Sequence, residues 1–285
     1  MLLIVGYIVV ILGGAIGFMM AGGHLSSLLV PSEFVSLGGL TLGMILIASN
    51  PAGIKSLIAA VVSVLKGGYV QKKDVEELLK LQYELYNTAR RNGLIALEDH
   101  VMDPKKSAIF SKFPTLTNNH GRLEFLTNGL KPLIDGRIKP EQLESLMQVT
   151  MDAHDEELSE PIHLLQLVGD SLPGLGIIAA VLGIIHTMAI VDSGAAMVGK
   201  SVAAALTGTL LGVLGAYGFV NPTAAKVKAN NNLETQYFTA VMKGLCGFAQ
   251  GMNPIMAVEI ARRCMDHHLT PSAEKLEEIL KGAAK

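Results

Sequence analysis

Residues 164–222 read LLQLVGDSLPGLGIIAAVLGIIHTMAIV, then DSGAAMVGK, then SVAAALTGTLLGVLGAYGFVNP. Two long apolar segments flank a short polar turn, and each keeps about 20 residues without a charge, enough at roughly 1.5 Å per residue to cross the ~30 Å hydrocarbon layer of a bilayer. The pair reads as two adjacent membrane helices. Pro173, Thr209, Asp170 and a run of glycines mark them as more than lipid-facing rods, because a helix that only meets lipid needs none of these.

Composition agrees with a membrane protein that also has a large polar part. Half of the residues are apolar and 17% are charged, so the charge must be segregated along the chain. A net charge of −2 carries no polyanion-binding signal and implies no nucleic-acid partner. Cys246 and Cys264 fit no CxxC or zinc spacing and read as free thiols in a reducing compartment.

Outward from the opening stretch, Leu2 to Ala21 is a second uncharged run. It lacks a basic leader and an obvious cleavage site, so it reads as a retained membrane helix rather than a signal peptide. Gly13, Gly17 and Ala21 fall four apart and put small side chains on one face. Phe34 to Ser49, after Pro31, is a shorter span with Gly39 and Gly43 at the same spacing. All of the 23 Lys and Arg except Lys200 lie in 51–163 and 221–285. The positive-inside rule then places both polar segments and both termini in the cytoplasm, giving four spans.

The polar segments read as helices. Ile54, Leu57, Ile58, Val61 and Leu65 predict a helix that either lies on the membrane surface or continues the second span. Over 72–91 the pattern is amphipathic. Val75, Leu78, Leu79, Leu85, Tyr86 and Ala89 form its apolar face, while Lys73, Glu77, Lys80, Glu84, Asn87 and Arg91 line the other, most simply a solvated one. Gly93 ends this helix. A basic pair, Arg90 and Arg91, therefore sits one bend from the acidic Glu98 and Asp99. Helices are further expected over 121–134, from Pro140 through an acidic stretch into the third span, over 223–250 and 254–268, and from a Thr270-Pro271 start to Lys281. No strand pattern appears. The expected fold is all-α, divided into 1–50 (spans 1 and 2), 51–163 (a cytoplasmic helical domain), 164–222 (spans 3 and 4) and 223–285 (cytoplasmic C-terminal helices).

Enzyme chemistry finds no foothold. There is no HExxH, no GxxxxGK[ST] phosphate loop and no GxSxG, and the eight histidines are scattered. No metal or cofactor is expected. Within the spans, Pro173 cannot donate to the carbonyl of Gly169, so the helix should kink or flex there. Thr209 either bonds back to Ala205 or turns its hydroxyl toward water or an ion. Asp170 is either an interfacial helix-end residue or a functional carboxylate at the inner side. Ala204, Gly208, Gly212 and Ala216 form a small-residue seam. No central Asp, Glu, Lys or Arg is expected in any span, so an ion path would need a carboxylate from a partner.

The blocks LLIVGYIVV, the AGG turn, ARRNGLIALE (89–98), VGDSLPGLGIIAAVLGIIH (168–186) and TGTLLGVLGAYGFVNP (207–222) make the chain resemble the MotA family of flagellar stator subunits from end to end. The resemblance implies a homo-oligomeric ring, a pentamer, around a MotB dimer whose membrane helix carries the ion-binding aspartate. It also implies an inner-membrane location and torque on the rotor protein FliG through the 51–163 domain. By the same resemblance Arg90 and Glu98 correspond to the charged pair that engages the rotor, and Pro173 and Pro222 to prolines of conformational coupling at the inner ends of spans 3 and 4. Asp170 supports them at the inner mouth. Thr209 corresponds to the hydroxyl near the ion site. Ala180 stands where sodium-driven relatives have threonine; alanine removes an oxygen ligand, which favours protons over sodium. Gly174-Leu175 departs from the family's more usual Ala-Phe. The alternatives are a sodium-driven stator subunit and an energising subunit like ExbB or TolQ, against which the four spans and ARRNGLIALE speak.

Overall fold

The structure is a computed structural model that describes residues 2–68 and 70–283. Among the described residues it is helical throughout, with no strand. Four helices are long and apolar enough to cross a membrane, and they carry the four segments expected to span it.

The chain forms two units that interleave in sequence: Met1–Gly68 with Leu158–Ala229, and Tyr69–Glu157 with Asn230–Lys285. Their borders at 68, 157 and 229 stand up to 18 residues from the boundaries read from charge, because the units are divided by packing.

The first unit contains α1 (Leu2–Met20), α2 (Pro31–Ala48) and α3 (Pro51–Lys66). The break between α2 and α3 has a local cause. Ser49 and Asn50 are extended, the Asn50 side chain accepts from the Gly53 amide at 2.8 Å, and Pro51 sits at the first helical position, where its missing N–H costs nothing. Of the two readings of this segment, it is thus a separate helix. Its Ala60 and Val64 are buried with Leu165, Ala224 and Val227. The Glu160 carboxylate lies over Gly53 in the first turn of α3, where a side chain would displace it and where the helix dipole favours a negative group.

The second unit contains α4 (Lys72–Asn92), α5 (Glu98–Met102), α6 (Pro114–Thr117) and α7 (His120–Ile134). A capping box between Gln71 and Asp74 opens α4, and Gly93, at φ +86°, closes it with its N–H on the Ala89 carbonyl. The apolar face expected for α4 is the heart of this unit's core. Val75, Leu78, Leu79, Leu85 and Tyr86 are fully buried, and Tyr86 stacks on Phe248 at 4.5 Å. The opposite stripe is not simply solvated. Glu77 accepts from the Thr115 amide and hydroxyl at 2.9 and 2.8 Å, and Glu84 pairs with Lys112 at 2.8 Å.

Helix α8 (Pro140–Ala189) runs unbroken for 50 residues through Pro161 and Pro173. Helix α9 (Ala195–Leu214) passes through a π-helical turn, Gly215–Val220, into α10 (Asn221–Ala249). Pro222 offers no N–H to the Gly218 carbonyl, and a widened turn directly before it is one way a helix accommodates that loss. Helix α11 (Pro254–Arg263) ends five residues short of the expected 268. Helix α12 (Ala273–Ala283) is capped by Ser272, whose hydroxyl accepts from the Lys275 amide at 3.3 Å, and not by Thr270.

Candidate functional site

In the first unit the site is built on how closely α8 and α9 approach. A Cβ on Gly212 would stand 2.5 Å from the Leu172 carbonyl oxygen and 2.9 Å from the Gly176 Cα. One on Gly176 would meet the Gly208 oxygen at 2.8 Å and the Thr209 Cα at 3.3 Å, and one on Gly183 would meet the Ala205 Cβ at 2.7 Å. Only glycine permits these crossings, and backbone-to-backbone packing of this kind is how membrane helices associate without a hydrophobic drive. The α9 seam expected from the sequence is thus occupied: Gly208 and Gly212 face α8, and Ala216 is buried with Val168 and Leu172. By contrast Gly13 and Gly17 of α1 and Gly39 and Gly43 of α2 have nothing within 4 Å of an added Cβ.

This register brings Ala180 and Thr209 together in level. Ala180 lies one turn from both Gly176 and Gly183, which face Gly208–Gly212 and Ala205, so it stands within about one turn of Thr209. Ala180 is buried and Thr209 half-buried. The Thr207 hydroxyl donates back to the Ala203 carbonyl at 3.1 Å, whereas the Thr209 hydroxyl makes no hydrogen bond to a described residue.

The other three residues expected here gather around one contact. Asn221 of α10 lies with its side-chain oxygen on Gly169 of α8, in space that any Cβ would fill. Asp170 and Pro222 flank this contact and are both exposed, and Pro173 is one turn further along α8, half-buried. The sequence reading missed Asn221, whose only signal was its place before a proline after a glycine-rich span.

It also missed a carboxylate. The second span was expected to begin at Phe34, but the helix begins at Pro31 and takes in Glu33, which is only 5% exposed. Its Oε2 occupies the hollow left by Gly208 and has no hydrogen-bond partner, with Ala179 beside the same hollow. Along α2 Glu33 stands in the first turn, so the expectation that no span carries a central Asp, Glu, Lys or Arg is not overturned by it. Glu33 is terminal along its own helix but packs against the middle of α9.

In the second unit Arg90 and Glu98 are exposed, on either side of the Gly93 turn. A 3-10 turn, Leu94–Leu97, joins α4 to α5, anchored by the fully buried Leu97. Arg90, Arg91, Glu98 and Asp99 make no ion pair among the described residues. Ile95 and Met102, 73% and 70% exposed, extend the same stretch with apolar surface that the charge pattern did not reveal.

At the other end of α4, where Asp74 stands in the first turn, lies a buried ion network. Arg122, 2% exposed, donates to Glu234 at 2.8 and 2.6 Å, approaches Asp74 at 3.7 Å and covers the Tyr237 ring at 4.3 Å. Burial works against its charge, but the Glu234 hydrogen bonds and charge outweigh that and hold the guanidinium above its ordinary pKa. Cys246 and Cys264 are both free thiols, and burial pushes Cys246 up to about 11.

Among the described residues the chain is helical without strands, and four helices long and apolar enough to cross a bilayer, two of them locked together by glycines, define a multi-pass membrane protein. Residues 117–240 match the model of the MotA/TolQ/ExbB proton channel family, and residues 4–93 that of the motility protein A N-terminal domain. The chain is 35% identical to motility protein A of Salmonella typhimurium over 282 residues, covering 99% of this chain and 96% of that protein. The corresponding figure for the Escherichia coli K12 protein is 33%, at the same coverage. The chain belongs to the motility protein A family. In fold it resembles MotAB of C. jejuni, with a TM-score of 0.78 at 22% identity over 93% of this chain and 95% of that one. It likewise resembles the flagellar MotAB stator complex of Bacillus subtilis, at 0.73 and 23% over 96% and 98%.

Proposed function

We propose that this protein is the ring-forming subunit of a flagellar stator that, with a MotB dimer, conducts protons and converts their flow into torque on FliG. The observation that carries the reading is the shared level of Ala180 and Thr209 on the glycine-locked α8–α9 pair, in a chain of this family. Thr209 offers a free hydroxyl to an ion held by a partner's aspartate, and Ala180 adds no oxygen that a sodium ion could use. The proposed ring is a pentamer in the inner membrane, with both termini cytoplasmic, a reading that the Lys and Arg distribution supports. The open glycine faces of α1 and α2 support close packing with further helices.

Within this reading Arg90 and Glu98 meet rotor charges, which their exposure and lack of internal partners support. Pro173, Pro222 and Asp170 surround the Asn221–Gly169 contact, a place where a change of helix geometry in the membrane passes into α10.

The test is complementation of a strain lacking its own subunit, with and without MotB. Swimming and proton influx are followed as sodium is replaced by potassium and as a protonophore is added. Restored swimming that needs MotB, ignores sodium and collapses with the protonophore is expected. Swimming that tracks sodium would overturn the proton assignment, and no influx with a well-assembled complex would overturn the channel.

A further inference from the structure

The structure assigns Glu33 as a second ion-holding group: a carboxyl that takes up and releases the transported monovalent cation at the hollow between Gly208 and Ala179. This rests on the channel reading and adds to it a group supplied by this chain. Three observations converge. Among the described carboxylates of the spanning helices Glu33 is buried, at 5% exposure, where Glu160 is half-buried and Asp170, like Asp192 in the turn after α8, is exposed. One of its oxygens has no hydrogen-bond partner while being wholly shielded, an arrangement that costs stability and persists where a function uses the group. That oxygen occupies the space freed by Gly208, the residue before Thr209, beside Ala179, the residue before Ala180.

What surrounds the carboxyl defines what it can hold. Gly208 of α9 and Ala179 of α8 offer neither charge nor donor, and no described lysine, arginine, histidine or second carboxylate pairs with Glu33. On its own element it follows Pro31 and Ser32 in the first turn of α2, so the positive end of that helix's dipole is the remaining partial charge facing it. A carboxylate with a free oxygen and no cation of the protein is a place for a mobile one. For a proton the step is R–COO⁻ plus H⁺ giving R–COOH and its reverse, with no other reactant. For sodium the same oxygen is a ligand. The shared chemistry is reversible binding of a monovalent cation in the hollow at Gly208, the residue that precedes Thr209 in sequence.

The experiment uses the full chain assembled with its MotB partner, with Glu33→Gln, Glu33→Asp and Gly208→Ala. Ion influx per assembled complex is measured across external pH at fixed sodium, and across sodium at fixed pH. Glu33→Gln is expected to lose most of the influx while assembling, and Glu33→Asp to restore part of it. Gly208→Ala, whose methyl displaces the carboxyl, should shift the midpoint of the pH series if the cation is a proton, or of the sodium series if it is sodium. As a check that does not need the glutamine variant to fold, difference infrared spectra of the wild-type and Glu33→Asp complexes should show a carboxyl band that responds to that cation and differs between the two. Wild-type influx with an unchanged midpoint in Glu33→Gln, or no cation-responsive band that differs, would overturn the inference. A wild-type complex that conducts nothing would instead sink the channel reading.

Discussion

Asn221 rests on Gly169, so that the start of α10 is seated on α8 one turn before Pro173 and immediately before Pro222. The contact exists because Gly169 has no side chain. Gly169→Ala should drive Asn221 off its seat and loosen the junction at a cost of about 1–3 kcal/mol, the usual range for overpacking. Swimming torque is expected to fall while the complex still assembles, and Asn221→Ser in the same chain should restore part of it by making room. Torque equal to wild type in Gly169→Ala would count against a coupling role for this junction.

Gly212 and Gly176 hold α8 and α9 at backbone contact. Gly212→Val would set branched carbons against the Leu172 carbonyl, already 2.5 Å from a single added Cβ, and force the helices apart. Because Ala180 and Thr209 owe their common level to that approach, ion influx should fall more steeply than protein abundance. A variant with normal influx per complex would show that the close approach is dispensable.

The Arg122–Glu234 pair predicts an asymmetry. Arg122→Met leaves a carboxylate buried and unpaired and should destabilise the second unit by about 3–5 kcal/mol, whereas the double change Arg122→Met with Glu234→Leu should recover much of that loss. Thermal unfolding of the purified protein, with protease sensitivity around α7 and α10 as a local probe, separates the two. Equal losses in single and double variants would mean that the pair contributes through packing alone.

Arg90 and Glu98 are exposed and unpaired, so reversing them should leave stability within about 0.5 kcal/mol of wild type. Arg90→Glu with Glu98→Lys should nevertheless reduce swimming torque if this surface meets the rotor, and Ile95→Ala should add to the loss by removing apolar contact. Unchanged torque in the triple variant would move the rotor surface elsewhere.

Glu259 receives Arg262 at 2.7 and 2.8 Å and Arg263 at 2.8 Å, and these hydrogen bonds hold its carboxyl down to about 2. A carboxyl lowered in the folded state adds stability above its ordinary range, near 4.5, and that contribution is lost as pH falls toward about 2. Arg262 also donates to the Pro271 carbonyl at 3.2 Å, so its release frees the segment before α12. Hydrogen exchange over 264–272 should rise between pH 4.5 and 2 in the wild type and already be raised at neutral pH in Glu259→Gln. Exchange indifferent to both would show that the cluster holds nothing in place.

Much of this molecule was legible in one dimension. Charge-free runs of about 20 residues suffice to mark membrane helices, since a bilayer tests length and polarity and little else. The amphipathic period of 72–91, the end of α4 at Gly93 and the all-helical fold follow from equally local rules, because a helix closes its hydrogen bonds within itself. The ARRNGLIALE block and the two long motifs of 164–222 carry the family for the same reason: they are contiguous.

What the tertiary structure decided are the relations between distant positions. The sequence showed no role for Glu33, which stands just before the apolar run of span 2; only packing sets that carboxylate against Gly208. The seam of Gly208, Gly212 and Ala216 announced a close neighbour without saying that the neighbour is α8 of the same chain. Arg122 and Glu234, 112 positions apart, show no pattern that pairs them. Side-chain periodicity reports which face of a helix is buried, but which helix covers that face depends on glycines and carbonyls meeting across the fold, and that is a property of the folded chain alone.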